Sequence, residues 1–134
     1  NTDFRSPKIS QIKSNNNCCA LFYDGIEKVQ IRFYTKASIY NQNSTSLEIW
    51  KKTALQSRKC YMGKMNPGTE IQEWHPNFPT IYLKKDPELK HSEQGFLNFT
   101  CIKLDVIETE ILKLHHDGHV RFSVKKGTLN FIAP

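Results

Sequence analysis

The most constraining stretch of this chain is Gly95 to Pro134, because much of it alternates between apolar and polar residues with a period that only an extended strand satisfies. Val120, Phe122 and Val124 fall on one face, and His119, Arg121, Ser123 and Lys125 on the other, which is the period-2 pattern of a half-buried strand. Just upstream, Asp117-Gly118 is a hairpin signal. A two-residue type I′ turn needs positive φ at both central positions, which Gly accepts freely and Asp tolerates better than most residues. Lys126-Gly127 offers a further turn, after which Leu129 and Phe131 resume the alternation up to Pro134, which cannot donate to a ladder. The first arm carries Leu97, Phe99 and Cys101 on one face and Ile102, Leu104 and Val106 on the other. It therefore requires a bulge near Cys101 or burial on both faces. Ile107, Ile111 and Leu114 also fit helical spacing, so a short helix over Val106 to Leu114 is the rival reading.

The same device recurs upstream, where Cys18 to Tyr23, Asp24-Gly25 and Ile26 to Tyr34 read as a second hairpin, with Val29, Ile31 and Phe33 set against Gln30, Arg32 and Tyr34. Lys36 to Tyr40 and Ser46 to Trp50 read as strands around the polar turn Asn41-Gln42-Asn43-Ser44. Further strands are read over Ala54 to Met62, where the signal is weaker, Glu70 to Trp74 and Ile81 to Lys84, punctuated by the type II turn signal Asn66-Pro67-Gly68. Residues 1–17 are polar and read as a flexible tail or an edge strand, and residues 18–134 as a single β domain. Some eight or nine short strands at roughly ten-residue intervals predict an all-β fold, an antiparallel β-sandwich with a barrel as the alternative. Its expected core is Val29, Ile31, Phe33, Leu47, Ile49, Val120, Phe122, Val124, Leu129 and Phe131.

No apolar run approaches the roughly 20 residues that a membrane helix requires, so no membrane span is expected. A net charge of +6 raises the question of an anionic partner. The positives occur as separated pairs, and the candidate basic patch gathers Lys51, Lys52, Arg58, Lys59, Arg121 and Lys125.

The four cysteines show no CxxC and no zinc spacing. Cys18 and Cys19 are adjacent, so neighbouring strand positions turn them to opposite faces. Cys60 and Cys101 are the disulfide candidate, with four free thiols as the alternative. In order, Cys60, Trp74 and Cys101 resemble the Cys, Trp, Cys arrangement of immunoglobulin-type domains, which implies an immunoglobulin-like topology. The pattern departs from that family at Phe99, where a Tyr is expected two residues before the second cysteine, and more than fifty residues precede Cys60.

Asn43-Ser44-Thr45 and Asn98-Phe99-Thr100 fit the N-glycosylation sequon, which makes Asn43 and Asn98 glycosylation candidates. In a two-residue turn at Asp117-Gly118, His116 and His119 would be paired across the strands and could share a metal ion, although a third ligand is not evident. No nucleophile elbow, P-loop, HExxH or dinucleotide motif is present, and neither catalysis nor a cofactor is expected. The expected function is that of a non-enzymatic, extracellular or ectodomain module binding a protein partner, with Trp74, Phe78 and Tyr82 as contacts. The alternative is an intracellular basic β-domain, nuclear or cytoplasmic, that binds nucleic acid or an acidic protein surface.

Overall fold

Alternation does build strands here, but helices interrupt them. The computed structural model describes all 134 residues. Six strands form one antiparallel sheet: β1 (Thr2–Asp3), β2 (Asn17–Asp24), β3 (Val29–Asn41), β4 (Phe99–Lys113), β5 (Val120–Lys125) and β6 (Thr128–Phe131). Their order is β2-β3-β4-β5-β6, and β1 pairs with the start of β4. Four α-helices accompany them: α1 (Pro7–Ser14), α2 (Ser44–Lys52), α3 (Leu55–Arg58) and α4 (Leu89–Ser92). The all-β sandwich of eight or nine strands, with its immunoglobulin-like topology, is therefore corrected to an α+β chain with a single open sheet. No helix is long and apolar enough to cross a membrane.

The chain divides into two units, Asn1–Ser14 with Ile39–Lys103, and Asn15–Ser38 with Leu104–Pro134. In the first, the segment read as a tail or edge strand is built as β1 and α1. Pro7 opens α1, where its missing N–H costs nothing and its fixed φ suits the helix, and Ile9 is buried. Ser46 to Trp50, expected as a strand, belongs to α2. Asn43 caps that helix by accepting from Ser46 N (3.0 Å), while Ser46 Oγ accepts from Asn43 N (2.9 Å). Ser46 and Trp50, four positions apart and both fully buried, mark the inward stripe.

Trp50 is the centre of this unit's core, with Phe99 and Cys101 beside it and Tyr40, Ile49, Tyr61 and Phe96 around them. The Trp50 and Tyr61 rings lie 5.1 Å and 5.0 Å from the Phe99 ring. Gly95 is required beside them, because a Cβ there would come within 3.2 Å of both Trp50 and Tyr61.

In the second unit the hairpins form with other turns than expected. Lys113 pairs with Val120, so residues 114–119 make a longer loop in place of a two-residue turn at Asp117-Gly118. Gly118 N donates to His115 O (3.3 Å), which centres the turn on His116 and Asp117. Likewise Asp24 pairs with Val29, and Asp24 Oδ1 accepts from Ile26 N and Glu27 N inside the intervening loop. The type I′ turn occurs at Lys126-Gly127, whose φ values are both positive, 50° and 78°, between the paired Lys125 and Thr128. The rival helix over Val106 to Leu114 is absent, since β4 runs through Lys113.

The expected core is also corrected. None of its ten residues is fully buried; Leu129 is 50% and Phe131 78% exposed.

Candidate functional site

The second unit buries charge where its pattern shows a polar face. Arg32 and Tyr34 stand on β3, Glu110 on β4 and Arg121 on β5, strands that are neighbours in that order. The carboxylate of Glu110 is 7% exposed and is the hub. Its Oε1 accepts from Arg32 Nη1 (2.9 Å) and Arg121 Nε (3.2 Å). Its Oε2 accepts from Arg121 Nη2 (3.1 Å) and, more weakly, from the Tyr34 hydroxyl (3.5 Å). Four donors fill the roughly four lone-pair positions that a carboxylate offers. The hydrogen bond from Arg121, outweighing the opposing effect of burial, holds the Glu110 carboxyl below its usual range, and the charges of both arginines add to it. The same bond raises the Arg121 guanidinium.

Two arginines on one glutamate leave the cluster with a net positive charge. Arg32 is occupied on its other side, since the Gln30 amide, with its oxygen turned toward Arg32, accepts from Nε and Nη2 (3.1 and 3.0 Å). Arg121 meets Glu110 through Nε and Nη2 only, so its Nη1 side faces away from that carboxylate, and the side chain is 30% exposed.

Tyr34 also lines a cleft of about 330 Å³ with Asn17, Cys18, Cys19, Thr35, Ile107 and Glu108. Glu108, the only acid in that lining, is paired with Lys125 (3.3 Å). A second cleft of about 350 Å³ is lined by Phe22, Tyr23, Asp24, Glu27, Val29 and Ile31, two of which are carboxylates. In the first unit, the opening turn of α1 carries no acidic side chain and presents exposed Lys8.

Most residues singled out in the sequence are placed elsewhere. Cys60 is exposed, Cys101 is buried, and all four cysteines are free thiols. Burial pushes the Cys101 thiol pKa up. His116 and His119 do not pair across strands: His119 Nδ1 accepts from His115 N (3.2 Å), while His116 Nδ1 meets Asp117 Oδ1 (2.9 Å). No group of three metal-ligating side chains gathers anywhere. Asn43 is the cap of α2, and Asn98 donates its amide nitrogen to Tyr61 O (2.8 Å).

Of the expected aromatic contacts, Trp74 is 82% exposed, Phe78 is half-buried, and Tyr82 is buried with its hydroxyl against His91. The basic set does not make one patch. Arg58 and Lys59 are buried, and Lys59 Nζ donates to the carbonyls of Tyr82 and Lys85. Arg121 and Lys125 are paired with glutamates, which leaves Lys51 and Lys52 exposed in the last turn of α2. Glu110 carried a usable signal: Glu108 and Glu110, two apart and followed by Ile111 and Leu112, share a face and need partners on neighbouring strands.

No family model matches the chain, and no curated protein does. Solved structures do. Over 99% of its length the chain superimposes on a pyridoxamine 5′-phosphate oxidase-related, FMN-binding protein from Nostoc punctiforme, with a TM-score of 0.75 and 17% identity. A second neighbour is PhzG from Burkholderia lata, in complex with tetrahydrophenazine-1-carboxylic acid, with a TM-score of 0.69 and 14% identity over 99% of this chain. The likeness is one of fold. The chain spans 71% and 66% of the two neighbours' lengths. It corrects the expectation of a non-enzymatic protein-binding β-sandwich module, because the fold is shared with an FMN-binding, pyridoxamine 5′-phosphate oxidase-related protein and with PhzG.

Proposed function

We propose that this chain forms a flavin-binding domain of an oxidoreductase and that its cofactor is FMN. The observation that carries the proposal is the superposition of 99% of the chain on an FMN-binding protein at a TM-score of 0.75.

The residues present fit such a group. A flavin mononucleotide joins a planar, largely apolar ring to an anionic phosphate, and so needs an apolar slot near fixed positive charge. The Tyr34 cleft offers the slot in the second unit: Tyr34 and Ile107 supply apolar surface, Glu108 is neutralised by Lys125, and Tyr34 reaches the net-positive Glu110 cluster. The cleft between Phe22 and Ile31 fits less well, because Asp24 and Glu27 would repel a phosphate. Bound FMN would supply hydride and single-electron chemistry, while the chain's own residues bind it and orient it.

The test is a fluorescence titration of FMN with the purified protein. Saturable quenching at one flavin per site is expected, and Tyr34→Ala should weaken it. Fluorescence that stays that of free FMN at every protein concentration would refute the proposal.

A further inference from the structure

We propose that Glu110 is a positioning residue: it holds the Arg121 guanidinium so that its outer edge, Nη1 and the second hydrogen of Nη2, is free to receive an oxyanion of the ligand, a carboxylate or a phosphate. The flavin reading enters only in identifying that ligand.

A guanidinium has two forks of parallel N–H groups, and each can hold one oxyanion in bidentate fashion. In Arg121 the inner fork, Nε with Nη2, is closed on Glu110 at 3.2 and 3.1 Å. That pairing fixes the plane of the group and aims the outer fork away from the carboxylate, on a side chain that is 30% exposed. Arg32 cannot serve in the same way, because its Nε and Nη2 are held by Gln30 and its Nη1 by Glu110. What it contributes is charge. With Glu110 already accepting from four donors, the second arginine leaves one positive charge uncompensated, and an incoming oxyanion neutralises it. The Tyr34 hydroxyl, 3.5 Å from Glu110 Oε2, ties the cluster to the adjoining cleft.

Positioning and simple attraction predict opposite outcomes. Glu110→Gln adds one unit of net positive charge, so attraction alone would tighten anion binding. If Glu110 acts by orienting Arg121, the same variant binds more weakly, because the amide keeps one acceptor oxygen but turns an NH2 toward the other N–H of the inner fork, so the two-point grip is lost and the guanidinium turns. Inorganic phosphate is the probe, read through the side-chain Nε–H resonances of the arginines. Phosphate should shift the Arg121 signal of the wild-type protein saturably, and Glu110→Gln should raise the apparent Kd by roughly tenfold, the weight of one charge-assisted hydrogen bond. Arg121→Lys keeps the charge without the fork, fits the partly exposed site, and should weaken phosphate binding similarly, as followed by the Arg32 signal. Equal or tighter binding in Glu110→Gln, an unaltered Kd in Arg121→Lys, or a wild-type Arg121 signal indifferent to phosphate would each overturn the proposal.

The source of the oxyanion is read by comparing FMN with riboflavin. Weaker binding of FMN alone in Arg121→Lys assigns the fork to the cofactor phosphate, and unchanged binding of both assigns it to the substrate; both outcomes support the fork as an oxyanion site. A wild-type protein that binds phosphate at Arg121 but no flavin would refute the flavin reading and leave this one standing.

Discussion

Replacing Arg58 by Lys tests how the first unit is held together. Arg58 is 2% exposed at the centre of a network in which every donor position is used. Nη2 donates to Trp50 O (2.8 Å), Nε to Thr53 O (3.0 Å), and Nη1 to Ser92 Oγ (3.1 Å) and Glu93 Oε1 (2.6 Å), while the guanidinium lies 4.5 Å from the Trp50 ring centroid. A lysine keeps the charge, but a single ammonium cannot span two carbonyls and a hydroxyl set around a planar fork. Each charge-assisted hydrogen bond contributes about 1.5–3 kcal/mol. Losing about two of them, with one contact recovered by the ammonium, gives a cost of about 3 kcal/mol. Glu93 supplies the internal control. Its side chain is 50% exposed and its other oxygen accepts from Trp50 Nε1 (3.2 Å); the amide keeps one acceptor, so Glu93→Gln should cost about 1–2 kcal/mol, less than Arg58→Lys. Urea denaturation reads both, and the Arg58→Lys midpoint should fall by roughly 1–3 M at unchanged slope. A loss below about 1 kcal/mol, or a Glu93→Gln variant as damaged as Arg58→Lys, would refute the view that backbone carbonyls, rather than the ion pair, are what Arg58 secures.

Gly127→Val should destabilise the β5–β6 hairpin by about 1–2 kcal/mol, because φ is +78° there and a β-branched side chain resists that region; amide hydrogen exchange of β6 would report it. Glu110 has a folded-state pKa lowered from 4.5, so its stabilising contribution is present above that value and is lost as pH falls through the lower folded pKa. Glu110→Gln should therefore flatten the acid limb of the stability–pH profile, and a limb of unchanged steepness would contradict this. Thr100 Oγ1 is buried without a hydrogen-bond partner. Thr100→Val, equal in shape, should then be neutral or raise the melting temperature, whereas a loss above about 1 kcal/mol would reveal a partner to that hydroxyl.

The hairpins were legible in the sequence because strand and turn signals are local: Val29, Ile31 and Phe33 alternate along β3, and Lys126-Gly127 does adopt the positive φ values of a type I′ turn. Asp117-Gly118 misled because a turn dipeptide marks where the chain reverses and leaves the loop length to the pairing of Lys113 with Val120. Helix α2 was missed for a related reason. Leu47 and Ile49 imitate period 2 over a few residues, and the competing signal, Asn43 three residues before Ser46 with Trp50 four beyond it, becomes decisive only when the cap closes and Ser46 and Trp50 go inward together. The candidate site was illegible as a set, since Arg32, Glu110 and Arg121 meet only because β3, β4 and β5 are neighbours in the sheet.

The reversal of burial in the second unit follows from what alternation can encode. Period 2 states which residues share a face, and on that question β5 is right: Arg121, Ser123 and Lys125 are set against Val120, Phe122 and Val124. It does not state which face is covered. Hydrophobicity alone puts Phe131 inside, whereas Phe131 is 78% exposed and the polar residues Glu110 and Ser123, opposite one another across β4 and β5, are each 6% exposed. A carboxylate goes inward only where enough donors wait for it. Glu110 meets that condition through Arg32, Arg121 and Tyr34, none of which is adjacent to it in sequence. Part of the face that reads as solvated is thus a partly buried polar cluster, in which Glu110 and Ser123 are covered while Arg32 and Arg121 keep an exposed side.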